Sequence, residues 1–337
     1  MPGVAPVGYL HAPGTDPGAL RSNDEKSGVC DVMSMRVDRR DFLRGATALT
    51  VAAAVPTWAS RRRSLERRSL APGVDLVVGP GGNSVVVDTG EGIALIDGGL
   101  EEDSRELLKL VQPKGRRIAL LFNTHWHRHV TGCNETLGKA GVRIVAHENT
   151  RLWLQRPIVK TLENERFDAL PKAAWPTETF LDKKQLKLGN TEFRCAQLFQ
   201  AHTDGDMFVH LPEANVIVAG GTVAVGHYPV LDTFTGGWIR GMGNATKTLL
   251  ELSDEKTQIV GEDGAVVGKA HLRAQSEMLD TLTERLWQMM RKGLSEEDLV
   301  AAHPTKDYDA QWGDPRDFVL NTYRGIWGHV REMRGIV

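Results

Sequence analysis

Residues 118–134 restrict the fold of this chain more than any other stretch. The apolar run Ile118, Ala119, Leu120, Leu121 and Phe122 reads as a buried strand, and it delivers Asn123-Thr124-His125-Trp126-His127-Arg128-His129-Val130-Thr131-Gly132-Cys133-Asn134. A helix is expected from about 131 to 140, so the histidines stand on a strand-to-helix turn. Residues two apart in an extended segment point the same way, which lets His125, His127 and His129 converge on one side. Imidazole is the commonest zinc ligand, and zinc needs several nitrogens at roughly 2.0–2.1 Å from one point. The whole chain has only 11 histidines, so a His-x-His-x-His run stands out from its background composition.

Thr124-His125-Trp126-His127, followed by Gly132 and Asn134, resembles the signature loop of the metallo-β-lactamase superfamily, whose pattern is His-x-His-x-Asp-His. The first two histidines match, whereas His129 stands at the aspartate position and Val130 at that of the last histidine. Ala201-His202-Thr203-Asp204-Gly205-Asp206 is similar to a second family motif, and the resemblance makes His202 the third ligand of the first metal position, beside His125 and His127. The family's bridging aspartate belongs after the strand at 215–218, where this chain has Ala219-Gly220-Gly221. The family's last histidine belongs in Gly261-Glu262-Asp263-Gly264, which puts Asp263 in its place. On this reading Gly221→Asp with Val130→His rebuilds a second metal position.

The resemblance covers about residues 74–285 and implies an α/β (α+β) fold, a four-layer αββα sandwich with the metal at one rim. Three neutral imidazoles with an open fourth place form the ligand set of a catalytic zinc site, and such zinc lowers the pKa of bound water to about 7. One Zn2+ per chain is expected, because His129 and Asp263 alone make a weak second site. Asp263 is the expected general base. Asp206 is the second candidate, with bonding of backbone amides after His202 as its other role. His129 is a candidate proton shuttle. Asp97, in Leu95-Ile96-Asp97-Gly98-Gly99, either orients a ligand imidazole from behind or caps a turn. Trp126 is expected to pack beneath the loop, and Arg128 either faces an anionic substrate or lies on the surface.

Three functional readings follow. The first is an exported single-zinc hydrolase acting on an ester, lactone, amide or β-lactam-like bond of a small molecule. The second is a non-catalytic zinc- or ligand-binding descendant, suggested by the altered positions His129, Val130, Gly221 and Asp263. The third and least supported is a two-iron redox protein, since the bridging carboxylate is missing.

Residues 1–34 read as a leader, with Met33 or Met35 as alternative starts, and 35–60 as a twin-arginine signal peptide. Arg39 and Arg40 precede a short apolar segment at 45–55, and Thr57-Trp58-Ala59 is a candidate cleavage site. The expected partner is the twin-arginine export machinery, and the expected location is periplasmic or secreted. Residues 61–73 read as a linker, 74–285 as the metal-binding domain and 286–337 as a helical extension packed on it. No stretch has the roughly 20 apolar residues of a membrane span. A net charge of −2 gives no electrostatic case for nucleic acid. Residues 151–177, with Trp153, Phe167 and Trp175, look like an irregular insertion whose aromatics either pack locally or wall the substrate cleft. Cys133 and Cys195 could pair in an oxidising compartment, but two cysteines do not make a disulfide framework.

Overall fold

The computed structural model describes residues 64–333 apart from 80, 113–115 and 161–163, and of 330–333 it describes the backbone alone. The leader, the twin-arginine segment and its cleavage site lie outside the described residues, which belong to a compact unit spanning Ser60–Val337. No helix among the described residues is long and apolar enough to cross a membrane.

The chain opens with β1 (Glu66–Ala71), β2 (Val74–Gly79), β3 (Gly82–Asp88) and β4 (Ile93–Ile96), an antiparallel run. It continues through α1 (Ser104–Val111), β5 (Ile118–Phe122), α2 (Arg128–Thr131), α3 (Asn134–Lys139), β6 (Arg143–His147) and α4 (Glu148–Leu154). A small hairpin, β7 (Ile158–Lys160) and β8 (Glu165–Phe167), comes before β9 (Glu178–Phe180). The first sheet has the order β1-β2-β3-β4-β5-β6-β9, with its second half parallel. The second sheet is built from β10 (Lys183–Leu188), β11 (Thr191–Gln197), β12 (Met207–Leu211), β13 (Val216–Gly220) and, after α5 (Ile239–Leu252), β14 (Gln258–Gly261). Helices α6 (Lys269–Arg291), α7 (Glu296–Ala301), α8 (Asp309–Trp312) and α9 (Arg316–Met333) complete the chain.

Side-chain alternation explains why the sheets stack. In β4 and β5, Ala94, Ile96, Leu120 and Phe122 enter a core shared with Phe193, Val209 and Val218 of the second sheet. Their neighbours Ile93, Leu95 and Leu121 enter a separate core with Leu107 and Val111 of α1 and Leu137 of α3. Strands covered on both faces read as continuous apolar runs, as these do. Beyond the second sheet, Ile217 and Ile259 pack against Met242 and Leu249 of α5 and a stripe of α6, Leu272, Leu279, Leu282 and Leu286, at helical spacing. Each such buried side chain stabilises the fold by ~1.5–3 kcal/mol. The result is helices, sheet, sheet, helices: the αββα sandwich.

Several expected boundaries differ. Glu66–Ala71, inside the expected linker, is a strand because its backbone pairs with β2, and Arg67 Nη2 pairs with Asp75 Oδ2 at 2.7 Å. The boundary expected at 285 falls inside α6, whose apolar stripe runs on to Leu286 and Met290. Leu299, Trp312 and Phe318 beyond it belong to the same core as Ile217, so this segment completes the domain. Helix α5 was not anticipated. Cys133 and Cys195 are both free, buried in different cores, and burial pushes each thiol up to about 12.

Candidate metal centre

Strand β5 ends at Phe122, and the chain stays extended only as far as His127 (φ −59°, ψ 152°) before turning into α2. His129 therefore lies in a helical turn and not in the extended stretch expected from its spacing. The loop is clamped at both ends: Asn123 Nδ2 donates to Asn134 Oδ1 at 3.0 Å, and Asn134 Nδ2 donates back at 2.8 Å. Gly132 must be glycine, since a Cβ there would sit 2.2 Å from the Leu100 carbonyl carbon. Trp126 is buried beneath the loop with Leu154 and Ile158, and Trp153, Phe167 and Trp175 pack around them. The insertion's aromatics thus pack locally.

The second motif arrives from the other sheet, between β11 and β12. Asp206 Oδ2 accepts from the backbone N–H groups of His202 and Thr203, and Oδ1 accepts from the Thr203 hydroxyl. Both carboxylate oxygens are engaged in shaping the turn, so Asp206 does not stand among the groups facing the imidazoles as a base would. Burial pushes its carboxyl up to about 7.

His125, His127 and His202 meet, with ring centroids 4.7–4.8 Å apart. Their remote nitrogens decide what the near ones can do. His202 Nδ1 lies 2.7 Å from the Val230 carbonyl, which can only accept, so Nδ1 carries the proton. His127 Nε2 lies 2.8 Å from Asp232 Oδ2. Burial opposes ionisation of Asp232, but His127 and Lys160 outweigh it and lower its pKa, so Asp232 accepts and Nε2 carries the proton. The Thr124 hydroxyl gives its proton to Asp97 Oδ2 at 2.8 Å and so accepts from His125 Nδ1 at 3.1 Å. Each near nitrogen is then a bare lone pair: His125 Nε2, His127 Nδ1 and His202 Nε2. The last two face each other at 2.9 Å with no proton to share, and His125 Nε2 is buried without a hydrogen-bond partner among the described residues. Burial and neighbouring imidazoles hold the His125 pKa well below its usual value, and burial brings His127 to about 4 despite Asp232. Three neutral imidazoles presenting lone pairs to one point fit a metal ion such as zinc.

Asp97 reaches the cluster only through Thr124, whose N–H and hydroxyl it accepts, both at 2.8 Å. It adopts φ +62°, a left-handed conformation that aspartate tolerates better than most residues. Burial, set against those hydrogen bonds, pushes its carboxyl up to about 7.

The carboxylate at the mouth of the cluster is Glu262 and not Asp263. Glu262 Oε2 lies 2.9 Å from His129 Nε2, 3.5 Å from His125 Nε2 and 3.9 Å from His202 Nε2. Burial would raise its pKa, but the hydrogen bond and charge of His129 act against it and lower it. The same pairing raises His129 against the effect of burial. Asp263 is half exposed, and its Oδ1 pairs with His227 Nε2 at 3.1 Å. The expected weak second site of His129 and Asp263 is thus replaced by a grouping of His125, His129 and Glu262. Arg128 donates to the Asp168 carbonyl. Glu262, Asp232, Thr124 and Lys160 are the residues missed from sequence.

A two-sheet sandwich with a three-histidine cluster at the rim, supplied by a loop from each sheet, defines a metallo-hydrolase type of fold. Residues 77–261, more than half of the chain, match the family model of the metallo-beta-lactamase superfamily, and the chain belongs to that family. Among solved structures it is similar to a metallo-beta-lactamase from Pontibacter korlensis, with 21% identity and a TM-score of 0.54, covering 64% of this chain and 99% of that one. It is similar to the DIM-1 metallo-beta-lactamase at 18% identity and a TM-score of 0.51, covering 65% and 98%. It also resembles the stereoselective inverting sec-alkylsulfatase Pisa1 from Pseudomonas sp., at 15% identity and a TM-score of 0.58, covering 79% of this chain and 50% of that one.

Proposed function

We propose that this chain is an exported hydrolase that holds one zinc ion on His125 Nε2, His127 Nδ1 and His202 Nε2. Its substrate is a small molecule with an ester, lactone, amide, β-lactam or sulfate-ester bond. The main support is the convergence of three bare lone pairs whose opposite nitrogens are each fixed by an acceptor. The similarity to β-lactamases and an alkylsulfatase supports hydrolysis as the reaction class and supplies two bond types to try. Export through the twin-arginine machinery to the periplasm or outside rests on Arg39 and Arg40 and is tested by fractionating expressing cells.

Zinc bound here would act as a Lewis acid and lower the pKa of a water ligand towards about 7. The chain's own residues handle the proton. Glu262 Oε2, ionised and at the mouth of the cluster, accepts it from the attacking water as the water oxygen bonds to the electrophilic atom. His129 Nε2 donates to the same carboxylate and keeps it in place. The bond to the leaving group breaks, and the proton on Glu262 passes to that group.

One distance favours a second reading. At 3.5 Å from His125 Nε2, Glu262 is near enough to become a fourth ligand and close the site, as in structural zinc centres. Metal content by plasma mass spectrometry and a panel of esters, lactones, β-lactams and secondary alkyl sulfates separate the two. The hydrolase reading expects about one zinc per chain, turnover of a panel member, and a fall of roughly 10²–10⁴-fold in kcat for Glu262→Gln with zinc retained. Loss of zinc in Glu262→Gln, with no turnover by wild type, supports the closed binding site. Two irons per chain would refute both.

A further inference from the structure

The hydrogen bond that fixes His127 continues into the β7–β8 hairpin. Asp232 Oδ2 accepts from His127 Nε2 at 2.8 Å and from Lys160 Nζ at 2.9 Å. Lys160 is the last residue of β7, and the side chains of Lys160 and Asp232 are only 11% and 3% exposed. A carboxylate so buried is costly unless it is paired and hydrogen-bonded. The neutral imidazole of His127 offers one hydrogen bond, and Lys160 adds a full positive charge. The ammonium also lies 5.6 Å from the Trp126 ring and 5.9 Å from the Phe167 ring, so hairpin and metal loop meet around it. Trp126 sits between the two ligands His125 and His127 in the chain.

We propose that Lys160 is a positioning residue of the metal centre: it holds Asp232 in place, and through Asp232 it sets the ring orientation and tautomer of His127. This deepens the metal-site reading above and rests on it. The insertion that carries Lys160 is then part of the frame that holds a ligand, and metal retention depends on the hairpin staying docked. Outer partners of metal-ligating histidines typically contribute about 10–100-fold in metal affinity. Lys160 acts one step further out, so its loss belongs at the lower end, about tenfold.

The test uses the full chain and zinc itself, with affinity read by competition against a chromophoric chelator and cobalt(II) absorption reporting the ligand field. Lys160→Met is expected to weaken zinc binding about tenfold and to alter the cobalt spectrum, with an unchanged circular dichroism spectrum. Lys160→Gln, which keeps a neutral donor towards Asp232, is expected to fall between Lys160→Met and wild type, and it serves if the methionine variant does not fold. Glu165→Gln, across the hairpin at 4.0 Å and half exposed, is expected to bind as wild type does. In an Asp232→Asn background the Lys160→Met effect should disappear, because the two act in series. Wild-type affinity in Lys160→Met, or an undiminished effect in the Asp232→Asn background, would overturn the proposal. Failure of wild type itself to bind zinc would instead overturn the metal-site reading beneath it.

Discussion

Gly221→Ala removes no ligand, yet it is expected to weaken metal binding. A Cβ built at Gly221 lies 2.4 Å from His202 Cδ2, 2.7 Å from Cγ and 2.9 Å from Nε2, against about 3.5–4.0 Å for ordinary carbon contact. The ring must therefore retreat by about 1 Å. Its Nδ1 is tied to the Val230 carbonyl at 2.7 Å, so it cannot do so freely. Metal–nitrogen distances tolerate only about ±0.2 Å, so the displaced Nε2 no longer suits the ion. Overpacking of this kind typically costs ~1–3 kcal/mol. Expressed in the metal-bound state, that corresponds to roughly 5- to 150-fold weaker binding. Chelator competition measures the affinity, and a denaturant melt of the metal-free protein shows how much of the cost falls on the fold itself. Wild-type affinity with an unchanged cobalt spectrum would refute the reasoning, since it would mean that His202 is not held against Gly221. The same crowding reverses what the sequence suggests for Gly221→Asp with Val130→His. Val130 is 1% exposed, and an aspartate at 221 carries the offending Cβ, so zinc per chain is expected to fall rather than rise towards two.

Asp263→Asn is expected to leave metal content and turnover unchanged, because this carboxylate pairs with His227; a large drop in kcat would return it to the mechanism. The hydrogen bond to Asp263, outweighing burial, raises the His227 pKa from 6.5 to about 9. A raised folded-state value means that this contribution to stability is fully present below about pH 6.5 and is lost as pH rises through about 9. Asp263→Asn should flatten that dependence in denaturant midpoints, and since both partners are more than a third exposed the effect is small. Thr124→Val keeps the side-chain shape but removes the hydroxyl between Asp97 and His125 Nδ1. It should lower zinc affinity about tenfold and stability by ~1–3 kcal/mol as Asp97 loses a buried partner; unchanged zinc affinity would separate Thr124 from the ligand-holding frame.

The candidate ligand trio was legible because His125 and His127 alternate just past the end of a strand and because the stretch around His202 resembles a second motif of the family. The strands announce themselves as apolar runs between glycine-rich turns, and the resemblance implies their stacking into a sandwich. The groups that orient the trio were not legible, because tertiary packing alone brings them in. Asp232 is 105 residues from His127, and Lys160 is 72 residues from Asp232. Asp232 ends Tyr228-Pro229-Val230-Leu231-Asp232, a stretch without any periodicity that could aim it. Strand β1 was hidden for a different reason. As an edge strand its residues are mostly exposed, so Glu66, Arg67 and Arg68 look like linker composition until their backbone pairs with β2.

Glu262 is the one omission for which a signal existed. In β14 Ile259 enters the helix-covered core and Val260 the core between the sheets. Alternation carries Glu262 to the same side as Val260, towards the rim between the sheets, and sends Asp263 to the other. The backbone keeps that parity past the end of the strand: Glu262 N–H donates to the Gly220 carbonyl at 3.0 Å, and its carbonyl accepts from Asn83 N–H at 2.7 Å. Matching motif letters placed Asp263 where the family has its histidine, whereas strand parity selects its neighbour. The choice changes the chemistry. His129 and Glu262, paired at 2.9 Å, stand near the positions from which the family supplies ligands to a second metal. A hydrogen-bonded imidazole and carboxylate there offer one donor and one acceptor beside the three-histidine cluster, the arrangement on which the proposed single-metal reading relies for handling the proton.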